Sequence, residues 1–363
     1  MRTTITMKQI AEHAQVSLGT VSHVVNGTVP VKKELRQRVL TSIRVLKYQP
    51  SQLARGLRRK STNMLGMVIP DITNPFFPAV VRGVEDVAFD EGYRLVLCNT
   101  DNDAAKEKAH LEQLRSYHPA GLLVIPAVES TLSADLRAAS ERNPVVFIDR
   151  CPANWKGDAV LAANEDGAFQ ATSHLLEAGH TQLAVIAGPS HLTNAIERLA
   201  GFRRALLQYR IALPSRYIQE GLFDRDSGYL SAMRLLAMQP RPTGIFAAND
   251  LMALGALLAA KELGLRCPKD VSIVGFDNLD FVLLIDPPLT TVSQPGYQLG
   301  VTAAQLVLER IRGKEGPGQK VVLPAVLEIR ASVATPYNAG RSGSNQPKRS
   351  RVVVRGKVAA EGG

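Results

Sequence analysis

The sequence predicts an α/β protein with a small helical head, a short hinge helix and a two-lobed body on parallel sheets. Three observations carry this. Residues 6–26, TMKQIAEHAQVSLGTVSHVVN, read as helix, turn, helix, and from Met64 onward short apolar runs alternate with helix-length amphipathic segments in two successive series. The third is charge. Residues 1–63 hold 12 Lys/Arg against 2 Asp/Glu, residues 338–363 hold 6 against 1, and residues 64–337 hold 25 against 30. A mildly acidic body with a strongly basic head is the electrostatic footprint of a phosphate-backbone binder, because a merely solvated face mixes both signs.

In the head, Thr6 followed three residues later by Gln9 forms a capping box, so a helix starts at about Met7 with Ile10, Ala11 and Ala14 on one face. The pattern breaks at Gln15-Val16, and Ser17 offers a second N-cap with Val21, Val24 and Val25 behind it. That spacing alone also fits an ordinary helical hairpin, and the charge turns the reading toward DNA. Two helices this short bury too little apolar area to fold alone. Residues 32–46 supply the partner, with Leu35, Val39, Ile43 and Leu46 on one face after the Asn26-Gly27 stop and the Val29-Pro30 turn. This head spans 1–49. The hinge spans 50–63, where Ser51 caps a short fourth helix in SQLARGLRRKST. Gly56 and the crowded Arg55, Arg58, Arg59 and Lys60 make it poorly helical in isolation, so it is either a helix formed on DNA or a flexible basic linker.

The body spans 64–336. Strands are expected at 64–70, 93–99, 121–126 and 145–149 and then at 183–188, 217–223, 244–248 and 271–276. Helices are expected near 77–91, 104–117, 131–142, 166–178, 195–209, 226–237 and 250–263, with one more near 298–312. Doubly apolar strands alternating with helices indicate parallel sheets covered on both faces, and two series indicate two similar lobes. Lobe 1 is placed at about 64–162 plus 294–322, and lobe 2 at about 163–290 plus 323–336. A cleft between such lobes is the natural place for a small ligand. Residues 337–363, rich in Gly, Ser, Asn, Arg and Lys, are expected to be a disordered basic tail.

Several function classes fall away. Cys98, Cys151 and Cys267 are odd in number and lack CxxC spacing, so a disulfide scaffold is not expected, and the seven His residues show no ligand spacing, so no metal is expected. There is no export leader and no run of about 18 apolar residues, which predicts a cytoplasmic protein without a membrane partner. The turn after the first strand reads Pro70-Asp71-Ile72-Thr73-Asn74-Pro75 rather than GxGxxG, and no Walker loop, GxSxG or HExxH occurs. No cofactor and no enzymatic activity are expected; the cleft binds rather than reacts.

The blocks MKQIAEHAQVSLGTVSHVVNG, YQPSQLARGL, DITNPFF, LLEAGHTQLAVIAGP, ERLAGF, AANDLMALGAL, DVSIVGFDN and PPLTTVSQP together resemble the lactose/galactose/purine repressor family of bacterial transcription regulators, over about residues 5–335. The resemblance implies a body like that of periplasmic binding proteins. It also implies a homodimer whose heads enter the major grooves of a near-palindromic operator in double-stranded DNA, with paired hinge helices in the minor groove. The expected function is a sequence-specific repressor whose operator affinity is controlled by a small effector in the cleft.

By the same resemblance, Leu18, Gly19 and His23 face base edges, while Ser17, Thr20, Ser22 and Asn26 anchor phosphates or the helix start. Leu18 offers only apolar contact and Gly19 almost nothing, so hydrogen-bonded readout rests on His23. Leu57 falls at the minor-groove wedge position, with Ala54 beside it and Arg55 and Arg58 near the backbone. For the effector, the resemblance points to Phe76, Phe77, Asp149, Asn194, Arg198, Phe223, Asn249 and Asp277. Carboxylates and guanidinium forks suit vicinal hydroxyls and an aromatic face suits the C–H side of a sugar ring. The alternative for Arg198 and Asp277 is a structural ion pair. Leu192 stands where the family's purine-responsive member has Arg, which favours a neutral sugar. Two other classes remain to be weighed: an exported sugar receptor, which would lack the basic head, and an architectural DNA-binding protein, which would need no cleft.

Overall fold

The computed structural model describes residues 5–26, 29–48, 62–127 and 134–336. The expected hinge helix with Ala54, Arg55, Leu57 and Arg58, and the expected tail, lie outside the described residues.

The head contains α1 (Met7–Ala14), α2 (Leu18–Asn26) and α3 (Lys33–Val45). The capping box forms as expected: Thr6 N–H donates to Gln9 Oε1 at 2.8 Å, and Gln9 N–H donates to Thr6 Oγ1 at 3.4 Å. Gln15 at φ 52° closes α1 in the left-handed conformation. Ile10, Ala11, Ala14, Val21 and Val39 form the head's core, with Val24, Val25, Ile43 and Leu46 packed around them, so the face read from helical spacing is the buried one.

The chain divides into two compact units. Unit 1 comprises Met1–Ala163, Ser190–Ile196 and Gln294–Ala325, and unit 2 comprises Asn164–Pro189, Glu197–Ser293 and Val326–Gly363. Unit 1 builds its sheet from β1 (Met64–Ile69), β2 (Arg94–Asn99), β3 (Gly121–Val124), β4 (Val145–Ile148), β5 (Asp158–Ala162) and β11 (Lys320–Leu323), in the order β11-β5-β4-β3-β1-β2 and parallel throughout. Its helices are α4 (Phe76–Asp90), α5 (Ala104–Ser116), α6 (Ala134–Ser140) and α11 (Gly296–Ile311).

Unit 2 builds its sheet from β6 (Leu183–Ala187), β7 (Ile218–Glu220), β8 (Gly244–Ala247), β9 (Ser272–Asp277), β10 (Thr290–Ser293) and β12 (Val326–Glu328), in the order β12-β10-β9-β8-β6-β7, with β12 alone antiparallel. Its helices are α7 (Asn164–Glu177), α9 (Arg225–Leu236) and α10 (Asp250–Glu262); α8 (Thr193–Gln208) opens in the Ser190–Ile196 segment of unit 1 and continues in unit 2.

In each sheet the strand order reverses beside the first strand, which is flanked by β2 and β3 in unit 1 and by β7 and β8 in unit 2. Loops leaving the C-terminal ends of such strands form a ready ligand crevice; Asp149, Phe223 and Asn249 sit on loops of this kind, Phe76, Phe77, Asn194 and Arg198 on α4 and α8, and Asp277 ends β9. Strand β5 is not foreseen by the sequence reading. Its five residues are buried, and it is placed by β4 and by β11, which arrives from far along the chain. In unit 1, α4 and α11 cross with their backbones nearly touching: a Cβ on Gly83 would meet Tyr297 O at 2.1 Å, and one on Gly300 would meet Val80 O at 2.1 Å. Among the described residues no helix is long and apolar enough to cross a membrane.

Candidate functional site

On the head, Ser17 caps α2. Its Oγ accepts Thr20 N–H at 3.1 Å and lies 2.9 Å from Thr20 Oγ1, so both hydroxyls are engaged in starting the helix. Residues 18, 22 and 26, and residues 19 and 23, recur at four-residue spacing and share one side of α2. Leu18 is 50% exposed, and a Cβ on Gly19 would meet only Ser17 Oγ at 3.6 Å. At positions 18 and 19 this side of α2 therefore offers no hydrogen-bonding side chain.

In unit 1, Phe76 and Phe77 open α4, with the Phe76 N–H donating to Asn74 Oδ1 at 3.1 Å. Both rings are buried and meet edge to face at 5.3 Å. Asp149 follows β4 at φ 63° and is buried. Two groups approach the same carboxylate oxygen: Asn194 Nδ2 donates to Asp149 Oδ2 at 3.0 Å, and Arg150 Nε lies 3.5 Å from it. Arg150 is 3% exposed, its Nη1 donates to Pro126 O at 3.1 Å and Asn102 Oδ1 at 3.3 Å, and its guanidinium sits 6.0 Å from the Phe77 ring centre. Arg150 Nε and Asn194 Oδ1 are buried without a hydrogen-bond partner among the described residues. A buried donor and a buried acceptor without such partners are unusual in a folded interior.

In unit 2, Arg198 is buried and held on several sides. Its Nε donates to Asn164 Oδ1 at 2.9 Å, its Nη1 donates to Ala248 O at 2.7 Å, and Asp277 Oδ1 lies 3.6 Å from Nη1. The guanidinium covers the Phe276 ring at 3.9 Å and stands 5.7 Å from that of Phe223. Phe223 has φ 62°, and its carbonyl accepts Asn249 Nδ2–H at 2.8 Å, while Asn249 Oδ1 caps α10 by accepting Met252 N–H at 2.9 Å. The Phe223 ring lies against Gly188, where a Cβ would stand 2.2 Å from its Cζ. Asp277 is buried at φ 120°. The unit thus gathers an aromatic face, a fixed guanidinium and a carboxylate within one small region. Among the described residues no three His, Cys, Asp or Glu side chains are grouped to hold a metal.

Comparison with known proteins decides the family. Residues 6–51 match the model of bacterial regulatory proteins of the lacI family, and residues 172–333 match a periplasmic binding protein-like domain. The HTH-type transcriptional repressor PurR of Histophilus somni (strain 129Pt) is 38% identical over 330 residues, 91% of this chain and 99% of that protein. The chain belongs to the lacI family. This regulator is also similar in structure to the lac repressor dimer bound to operator and the anti-inducer ONPF, at TM-score 0.82 and 29% identity over 91% of this chain and 99% of that one. A lacI-family transcriptional regulator from Enterococcus faecium with bound ribose is 32% identical at TM-score 0.67, over 75% of this chain and 99% of that one. The regulator is accordingly a DNA-binding transcriptional repressor by family, and its relatives are repressors rather than enzymes.

Two residues escaped the sequence reading. Arg150 sits beside Asp149 in the chain, yet a charged residue after a buried strand usually points to solvent, and only packing shows that it turns inward. Gln294 is likewise buried, next to the quoted Pro295. Asn194 was assigned to the second lobe by position, whereas the Ser190–Ile196 segment groups with unit 1, where Asn194 holds Asp149.

Proposed function

We propose that this regulator binds a near-palindromic operator as a cytoplasmic homodimer and that a neutral sugar, held by the Asp149 region of unit 1 and the Arg198 region of unit 2, sets its operator affinity. One observation carries the choice of ligand. Around Asp149, Arg150 Nε offers a buried donor and Asn194 Oδ1 a buried acceptor, and a hydroxyl group is the simplest ligand group that serves both. Arg150 already faces a carboxylate at 3.5 Å, so the region has no spare positive charge to attract a phosphate or a sugar acid. The aromatic rings of Phe76, Phe77 and Phe223 fit the C–H faces of a sugar ring. Leu192 is buried and apolar, and a structural relative is described with bound ribose.

The test is a thermal-shift and operator-binding screen of the full chain with D-ribose, other neutral sugars, ribose 5-phosphate, hypoxanthine and guanine. D-ribose or another neutral sugar is expected to raise the melting temperature saturably and to change operator affinity; at a ligand concentration one hundred times Kd the stabilisation is about 2.7 kcal/mol. A response to the purines alone, or to the phosphate alone, overturns the sugar reading.

For DNA, the lack of a hydrogen-bonding side chain at Leu18 and Gly19 supports a reading in which His23 and the hinge residue Leu57 carry much of the sequence choice, with Arg55 and Arg58 on the backbone. Leu57→Ala is then expected to weaken specific operator binding far more than nonspecific binding at one salt concentration; equal loss on both refutes it.

A further inference from the structure

The residue that opens α10, Asp250, is buried completely and uses its carboxylate away from its own helix. Oδ2 accepts the Leu279 N–H at 2.9 Å and Oδ1 accepts the Thr291 hydroxyl at 2.5 Å, and the backbone N–H of Asn278 donates to the same carboxylate. Space for it is cleared by Gly275, where a Cβ would stand 2.2 Å from Asp250 Oδ1. The segment it grips is strained. Asp277 has φ 120° and Asn278 φ 62°, two successive non-glycine residues in a region that L side chains rarely adopt. The Asn278 side chain is held separately, accepting from Arg330 Nη2 at 2.7 Å and donating to Ser293 Oγ at 3.3 Å.

The same helix start holds a second left-handed turn. Asn249, one residue earlier, fixes the carbonyl of Phe223 at φ 62°. Asn249 and Asp250 therefore each immobilise a turn that presents one of the side chains around Arg198: Phe223 in the first case and Asp277 in the second. Burial pushes the Asp250 carboxyl up to about 7, although Thr291, Leu279, Asn278 and the charge of Arg330 all favour its ionised form. Asn249 already caps α10, so a carboxylate kept at that cost of desolvation serves the segment it grips rather than the helix start.

We infer that Asp250 is a positioning residue of the effector site: by holding the N–H groups of Asn278 and Leu279 it fixes the strained turn and thereby keeps the Asp277 carboxylate 3.6 Å from the Arg198 guanidinium. The inference rests on the proposal that Asp277 and Arg198 touch the effector. Asp250→Asn keeps the side chain's shape, removes the charge and turns one acceptor into a donor facing N–H groups.

The experiment compares wild type and Asp250→Asn in the full-length protein by amide hydrogen exchange without sugar, by D-ribose calorimetry and by operator binding without sugar. Exchange at Asn278 and Leu279 is expected to accelerate by about tenfold or more while amides in the centres of β6 and β8 keep their rates, and ribose affinity should fall about tenfold to hundredfold, the effect of losing hydrogen bonds to a charged acceptor. Operator affinity without sugar should stay within about twofold. Should Asp250→Asn not fold, Thr291→Val, which removes the hydroxyl that orients the carboxylate, is expected to show the same local change in smaller degree. Unchanged exchange at residues 278 and 279, equal acceleration across the whole of unit 2, or accelerated exchange with undiminished ribose affinity overturns the inference. If wild type does not bind ribose, the ribose reading fails on its own and the exchange result decides whether Asp250 holds the turn behind Asp277.

Discussion

His180 makes the stability of unit 2 depend on pH in a way that can be worked out from its surroundings. The ring is buried between two hydroxyls, with Nδ1 2.9 Å from Thr243 Oγ1 and Nε2 2.9 Å from Ser272 Oγ. Burial penalises the imidazolium and pulls its pKa down to about 4; the Ala334 backbone opposes this and His174 adds to it. The ordinary value is 6.5. The unfolded chain therefore takes up the proton first as pH falls, and the stability contributed by neutral His180 is complete above the ordinary value and is lost as pH drops toward 4. Between pH 7.5 and 5 this single residue should cost about 2 kcal/mol. Carboxylates titrate over part of the same range, so the measurement is a difference: urea unfolding of wild type and His180→Gln, followed by far-UV circular dichroism at the two pH values. The variant should be less stable at pH 7.5 because the bridge between Thr243 and Ser272 is lost, but its stability should fall by about 2 kcal/mol less than wild type's on acidification. Parallel losses in the two proteins would show that His180 is not held neutral by its site.

Two further substitutions test the packing that positions the site. Gly188→Ala places a Cβ 2.2 Å from Phe223 Cζ and 2.6 Å from Cε1, and the ring cannot swing freely because its backbone is fixed by Asn249. The expected cost is about 1–3 kcal/mol of stability with loss of the sugar-induced thermal shift, while sugar-free operator binding persists; an undiminished shift would mean that Phe223 does not meet the ligand. In unit 1, Arg310 grips Asp158 with two nitrogens at 2.8 and 2.9 Å and also donates to the carbonyls of Lys314, Gly316 and Pro317. Although burial acts to raise it, the Asp158 carboxyl lies below the usual range because Arg310 and the Gln319 N–H outweigh that penalty. Arg310→Met should cost about 3–5 kcal/mol in urea unfolding by stranding the buried carboxylate, and adding Asp158→Asn should recover part of it; a loss below about 1 kcal/mol would refute the clamp.

The head was legible almost residue by residue, because its rules act over a few positions: Thr6 with Gln9, Ser17 with Thr20, and apolar residues three and four apart need only neighbouring chain. The βα alternation was equally plain, since strands buried on both faces read as continuous apolar runs. What the sequence hid was contact between distant segments. Strand β5 has only five residues, no helix separates it from β4, and its place depends on β11, some 160 positions away. Nothing in the sequence marked Arg150 as turning inward, and Asn194 belonged by position to the other unit.

The division has a physical cause. Local propensity, capping and charge are properties of short stretches, so the sequence by itself determined the helix-turn-helix head, the two series of βα units and the basic surplus that points to DNA. Whether a buried polar atom is satisfied depends on every atom within about 3.5 Å of it, and those come from all over the chain. Only the tertiary structure could therefore show that Arg150 and Asn194 leave one donor and one acceptor open beside Asp149, and that Asp250 reaches from the start of its helix to hold the turn behind Asp277.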